Sequence, residues 1–223
     1  MGICVDAVLK KAKIINFPRF QTYNDKANEG WRLLPVTDDF YEGLPNNSHH
    51  YTTEYHRKYV LPLLEEMFHF GYDENHFILS KNMICKNDMV FDLSYQAPKE
   101  DMKFHVTCFN NGIEYDCGHD GLLRNNQTKK STWFTPYHAL YCFPHMCSTV
   151  ENLSNNNGRS LLILGDSQII PSVATLCCYY RVLTYLDNRD KIPIIDKLSP
   201  EYDDVLIEIN GNTGMSHYVG YFV

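Results

Sequence analysis

The chain has 223 residues, with 27 acidic and 20 basic side chains for a formal charge of −7, and is 44 % hydrophobic and 21 % charged. Such a composition builds a globular protein with a substantial core and excludes the disordered and fibrous classes. The acidic excess argues against broad nucleic-acid binding, which needs Lys and Arg clustered opposite phosphates. No apolar run approaches the ~18 residues of a membrane-spanning helix, so no membrane span is expected.

At the start, Asp6, Lys10 and Lys11 fall where a secretion signal would need an apolar core. Asp6 also stands where a myristoylation site wants Ser or Thr. The expectation is a cytoplasmic chain whose eight cysteines are reduced and mostly buried as small hydrophobes. Residues 1 to 50 read as irregular, punctuated by Pro18, Gly30, Pro35, Gly43 and Pro45 and closed by Asn46-Asn47-Ser48. His49-His50 then sits in a polar loop and carries no signal by itself.

Thr52 or Thr53 can cap a helix on which Tyr55, Tyr59, Leu63, Met67 and Phe70 fall at near-helical spacing, up to Gly71. Pro62 lies inside that pattern and predicts a kink or a late start. From 77 to 123 the period shortens. Phe77–Leu79, Met89–Leu93, Phe104–Phe109 and Ile113–Cys117 read as strands of an antiparallel section, with Asn110-Asn111-Gly112 as a hairpin turn. The last third alternates between strands and helices. Leu161–Leu164 is an apolar strand, Gly165-Asp166-Ser167-Gln168 turns into a helix over about 171–180, and Val182–Leu186 is a second strand. A short helix over 192–198 and a strand at Val205–Ile209 follow. Continuous apolar strands with helical crossovers predict an α/β fold: a parallel sheet, buried on both faces and flanked by helices. The chain divides into an N-terminal region, 1–110, of irregular, helical and antiparallel character, and an α/β region, 111–223, within one compact domain.

In such a sheet, ligands bind beyond the carboxyl ends of the strands. Three polar groups fall there: Gly165-Asp166-Ser167, Asp187-Asn188-Arg189 and Asn210-Gly211-Asn212. A serine on the turn from strand to helix exposes its hydroxyl, and its backbone N–H lies near a helix N-terminus able to stabilise an oxyanion. That is what an acyl-transfer nucleophile needs. Asp166 or Ser167 could instead simply cap the helix.

The segment Leu161–Ser167, followed by Tyr185-Leu186-Asp187-Asn188-Arg189 and Asp203–Ile207, resembles the SGNH/GDSL hydrolase superfamily, closest to its alginate O-acetyltransferase-like branch. Cys117-Gly118-His119-Asp120-Gly121-Leu122-Leu123 is similar to a glycine-Lys-Asp-Gly-aromatic-Leu element of that group. The similarity spans roughly 115–212. It implies a three-layer SGNH-like fold, Ser167 as nucleophile beside Asp166, and an acyl-ester intermediate. The oxyanion hole would draw on Ser167, Gly165, Asn210 and Asn212, with Asp187 and Arg189 contacting substrate. The implied substrate is an acyl ester or a carbohydrate, and the implied reaction is O-acetylation or deacetylation of a polysaccharide without a cofactor.

The branch carries an Asp-x-His before a Trp-Thr-Pro-Tyr-Gly-Ala-like stretch. Here Trp133-Phe134-Thr135-Pro136-Tyr137-His138-Ala139 keeps the frame without an Asp-x-His in front of it. His138 is the first substitute for the base. His119, with Asp116 three residues earlier, is the second, and His217 the third. This departure also admits a second reading: an inactive SGNH-like protein that binds a glycan or a protein partner. His138, Cys142, His145 and Cys147 are zinc-type ligands, but their spacing fits no known finger and Pro144 interrupts them, so no metal is expected.

Overall fold

The computed structural model describes residues 11–17, 31–34, 51–86, 89–100, 102–108, 113–118, 122–125, 131–133, 148–165, 168–187 and 202–210. The expected helix at 192–198 and the turn at 110–112 lie outside them.

Among the described residues twelve strands form two sheets. The larger has the order β2 (Trp31–Leu33), β1 (Ala12–Phe17), β12 (Asp204–Asn210), β10 (Ser160–Gly165), β11 (Val182–Asp187), β9 (Ser148–Asn152), β5 (Lys103–Cys108), β6 (Ile113–Gly118), β7 (Leu122–Asn125), β8 (Ser131–Trp133). From β2 to β11 neighbouring strands are parallel. From β11 onward every pairing is antiparallel. The smaller sheet is one ribbon of β3 (Phe77–Lys86) and β4 (Met89–Pro98). The expected antiparallel section is therefore divided: β3 and β4 stand apart, whereas β5 and β6 extend the main sheet through β9.

The apolar runs of β10, β11 and β12 are buried on both faces, as a parallel sheet requires. On one face Leu161, Ile163, Leu183, Tyr185 and Leu206 join a core with Tyr55, Leu61 and Leu64 and with Ile169, Val173 and Leu176. On the other, Leu162, Leu164, Leu186, Val205 and Ile207 are equally enclosed. β1 corrects the reading of residues 1–50 as irregular. Ile15 and Phe17 are fully buried against the core while Lys13 between the strand's apolar residues is exposed. Its partner is β12, nearly the whole chain away, so no local turn chemistry announces it.

The helical segment begins at Thr52, whose hydroxyl accepts the Tyr55 N–H at 3.1 Å. After α1 (Thr53–Tyr55) comes a π turn, His56–Val60, closed by the Leu61 N–H reaching back to the His56 carbonyl. Pro62, which has no N–H to give, then falls at the start of α2 (Leu61–Phe68), where none is needed. The kink expected from Pro62 is this π turn. α2 ends on His69 in the left-handed region (φ 52°). Beyond it, Glu65 Oε2 accepts the Gly71 and Tyr72 N–H groups at 2.8 and 2.9 Å. Arg159, just before β10, ties these layers together. It donates to the Phe68 and His69 carbonyls, each at 3.0 Å, and pairs with Asp204 at the start of β12. Among the described residues no helix is long and apolar enough to cross a membrane.

Candidate active site at the carboxyl end of β10

β10 is followed in sequence by α3 (Ile170–Tyr179) and β11, which pairs on one side of it; β12 pairs on the other. The strand order reverses at β10. In an open α/β sheet that reversal leaves a crevice beyond the carboxyl end of the strand, and here the end is Gly165, directly followed by Asp166 and Ser167. The apolar stripe of α3, Ile169, Val173 and Leu176, packs onto the core face, so the chain rises from β10 toward that face as the helix begins.

Register sets the neighbours of this end. Gly165 pairs with Asp187 on β11, and Leu164 pairs with Ile207 on β12, which brings Glu208 level with Gly165. Asn210 closes β12 opposite Phe17 of β1. Three candidate positions, Gly165, Asp187 and Asn210, thus share one edge of the sheet within adjacent strands. Asp116 lies on β6, four strands from β10, or about 19 Å at the usual strand spacing. Asp166, Ser167, Arg189, Asn212, His119, His138 and His217 lie outside the described residues, as does the 138–147 His/Cys cluster.

Two features of the edge are invisible in the motif. A β-carbon placed on Gly165 would lie 2.9 Å from Glu208 Oε2 and 3.1 Å from Ile169 Cγ2. Glycine is required here for close approach, not for a positive φ. Glu208 is fully buried, the only acidic side chain among the described residues that is. The second feature is the hydrogen bond from the Tyr51 N–H to Gln168 Oε1, 3.3 Å. That N–H belongs to the peptide leaving His50, and Gln168 is the residue after Ser167. The Tyr51 ring is anchored on Phe17, 4.7 Å between centroids, and on Tyr55 at 4.7 Å. His49 and His50 lie outside the described residues.

One histidine–serine pair is formed among the described residues. His56 Nδ1 and Ser172 Oγ share a hydrogen bond of 2.7 Å between the π turn and the first turn of α3. Both side chains are enclosed, Ser172 completely, so no substrate can reach that hydroxyl; the pair clamps the two helical segments together. Cys177 and Cys178 are buried free thiols on α3, and burial pushes Cys178 up to about 12. A thiol that stays protonated at neutral pH is no nucleophile. Among the described residues no group of three or more His, Cys, Asp or Glu side chains could hold a metal ion.

No protein-family model matches the chain, and no curated protein matches it. Solved structures do. A DHHW family protein from Eubacterium siraeum is 12 % identical with a TM-score of 0.57, over 95 % of this chain and 81 % of that one. Bacillus cereus PatB1 is 12 % identical with a TM-score of 0.55, over 94 % and 87 %. PatB1 with a sulfonyl adduct is 11 % identical with a TM-score of 0.55, over 93 % and 86 %. At such identities the likeness concerns the fold alone: an α/β sheet flanked by helices.

Proposed function

We propose that the chain is a serine-dependent esterase or O-acyltransferase of SGNH type, acting through an acyl-Ser167 intermediate on a hydroxylated substrate such as a polysaccharide. The observation that carries this is the strand-order reversal at β10, whose carboxyl end runs through Gly165-Asp166-Ser167 into the N-terminus of α3. Ser167 Oγ attacks the acyl carbonyl and gives its proton to an imidazole. The backbone N–H of Ser167 receives the oxyanion, with Gly165 and Asn210 or Asn212 adding further donors. The tetrahedral adduct collapses, the imidazole returns the proton to the departing oxygen, and water or a sugar hydroxyl then repeats the sequence on the acyl-serine. Asp187, paired with Gly165, and Arg189, two residues further along the chain, would hold the substrate.

We assign the imidazole to His138, with His119 and His217 as the competing assignments. The neighbour with a sulfonyl adduct supports a sulfonyl fluoride as the probe. Its sulfur bonds to a serine oxygen as fluoride leaves and the hydroxyl proton goes to the base. Phenylmethanesulfonyl fluoride should label Ser167, detected by mass spectrometry of the peptide. Ser167→Ala should lose both labelling and hydrolysis of 4-nitrophenyl acetate while keeping its circular dichroism spectrum. His138→Ala should slow both by about 10²–10⁴-fold; the same loss in His119→Ala or His217→Ala, with His138→Ala unaffected, transfers the role. Full activity in Ser167→Ala would overturn the reading. Absence of labelling together with glycan binding would favour a non-catalytic binding protein.

A further inference from the structure

We propose that Asn157 is a self-modifying position: it converts without an enzyme to aspartate and isoaspartate through a succinimide, and the change releases the carboxyl end of α3 from the loop that caps it. Asn157 precedes the amino end of β10, the end opposite the candidate active site. Three asparagine amides reach the last carbonyls of α3 in turn. Asn152 Nδ2 donates to Cys177 and Cys178 at 3.0 and 3.2 Å, and Asn155 Nδ2 to Cys178 at 3.4 Å. Asn157 Nδ2 donates to Tyr179 at 2.6 Å. A helix offers its last carbonyls no partner of its own, so these side chains supply what the end of α3 lacks.

Of the three, Asn157 alone is followed by glycine. Gly158 has no β-carbon to crowd its nitrogen, and both residues are exposed. Its φ is 74°, and among the described residues no atom outside its chain neighbours lies within 4 Å of where a β-carbon would stand. The side-chain carbonyl is already polarised, because Asn157 Oδ1 accepts the Arg159 N–H at 3.0 Å. That bond places Asn157 Cγ and the Gly158 nitrogen on one small hydrogen-bonded ring. The Gly158 nitrogen attacks Cγ as its proton passes to water, and negative charge gathers on Oδ1, where the Arg159 N–H receives it. Nδ2 takes a proton from water and leaves as ammonia. Water then opens the imide at either carbonyl. One opening gives aspartate; the other gives isoaspartate, whose backbone runs through the former side chain and is a methylene longer. Both products put a carboxylate where the amide was. A carboxylate has no N–H for Tyr179 and sets its charge against the negative end of the α3 dipole. The isoaspartyl product also displaces Arg159, whose side chain bonds the Phe68 and His69 carbonyls and Asp204. Asn152 and Asn155 precede Leu153 and Asn156, whose side chains shield the attacking nitrogen, so both stay intact.

The experiment ages the folded chain in mildly alkaline buffer and follows the peptide that carries Asn157 by mass spectrometry, with chromatography to separate the isoaspartyl form. The expected result is the mass gain of an amide hydrolysed to an acid, located at Asn157 by fragmentation and absent from Asn152, Asn155 and Asn156. The aged chain should melt about 2–4 °C lower, the shift expected from the loss of one helix cap. Asn157→Asp, which carries the aspartate product from the start, should show the same fall without ageing. An Asn157 that stays intact in the folded chain, or converts no faster than its neighbouring asparagines, overturns the modification. Conversion with an unchanged melting temperature, in the aged chain and in Asn157→Asp alike, overturns the link to α3.

Discussion

Gly165, the last residue of β10, lies so close to the Glu208 side chain that no β-carbon fits between them. Alanine has no space there, since its methyl would stand 2.9 Å from Glu208 Oε2 and 3.1 Å from both Glu208 Cβ and Ile169 Cγ2. Gly165→Ala should lower stability by about 1–3 kcal/mol, the usual magnitude of overpacking in a closed core, measured by urea unfolding. Ser167 labelling should slow in the same variant, because relief comes only by moving Glu208 or the start of α3. The Gly165-Asp166-Ser167 turn was legible in the sequence because strand-to-turn chemistry is local. Glu208 was not: between Ile207 and Ile209 it reads as a polar letter in an apolar strand. Its burial is conferred by strands and a helix from distant parts of the chain. The contact between Tyr51 and Gln168 was hidden for the same reason, since it is a bond spanning 117 positions.

Among elements, β10 and β12 are joined at their amino ends by Asp203, whose Oδ2 accepts the Ser160 N–H at 2.7 Å and the Ser160 hydroxyl at 2.9 Å. These two bonds hold the Asp203 carboxyl below its ordinary range. A carboxyl depressed in the folded state contributes stability above its unfolded pKa, and loses that contribution as pH falls through the lower folded value. Ser160→Ala should therefore be less stable than wild type at pH 7, and the difference should shrink below about pH 3, as urea unfolding at the two pH values would read. β10, α3, β11 and β12 were readable because each carries its own periodicity. β9 was not, since Ser148-Thr149-Val150-Glu151-Asn152 is polar and yet lies inside the sheet between β11 and β5. Its place is secured across the strands by pairs such as Thr149 with Thr184, 2.9 Å between hydroxyls.

Over the whole molecule the two sheets differ in how they are supported. β10 and β12 are enclosed on both faces, whereas β3 and β4 pair only with each other. The ribbon is attached to α3 near its base, where the Thr175 hydroxyl donates to Gln96 at 3.0 Å. Two-stranded ribbons have little stability of their own. Amide hydrogen exchange should therefore be slowest at Leu162–Leu164 and Val205–Ile207 and markedly faster in the ribbon beyond its base. Equal protection in both would contradict this assignment. The α/β class and the parallel centre could be read from apolar strands and crossovers. The strand order could not, because β1 and β2 reach the sheet only through β12. That pairing, Ala12 with Val205 through Phe17 with Asn210, also orders events during synthesis. At about 5–20 residues per second, β1 waits roughly ten to forty seconds for the strand it needs. Throughout that interval its Ile15 and Phe17 lack their final partner, so the nascent chain presents a sticky edge that a holding chaperone could shield.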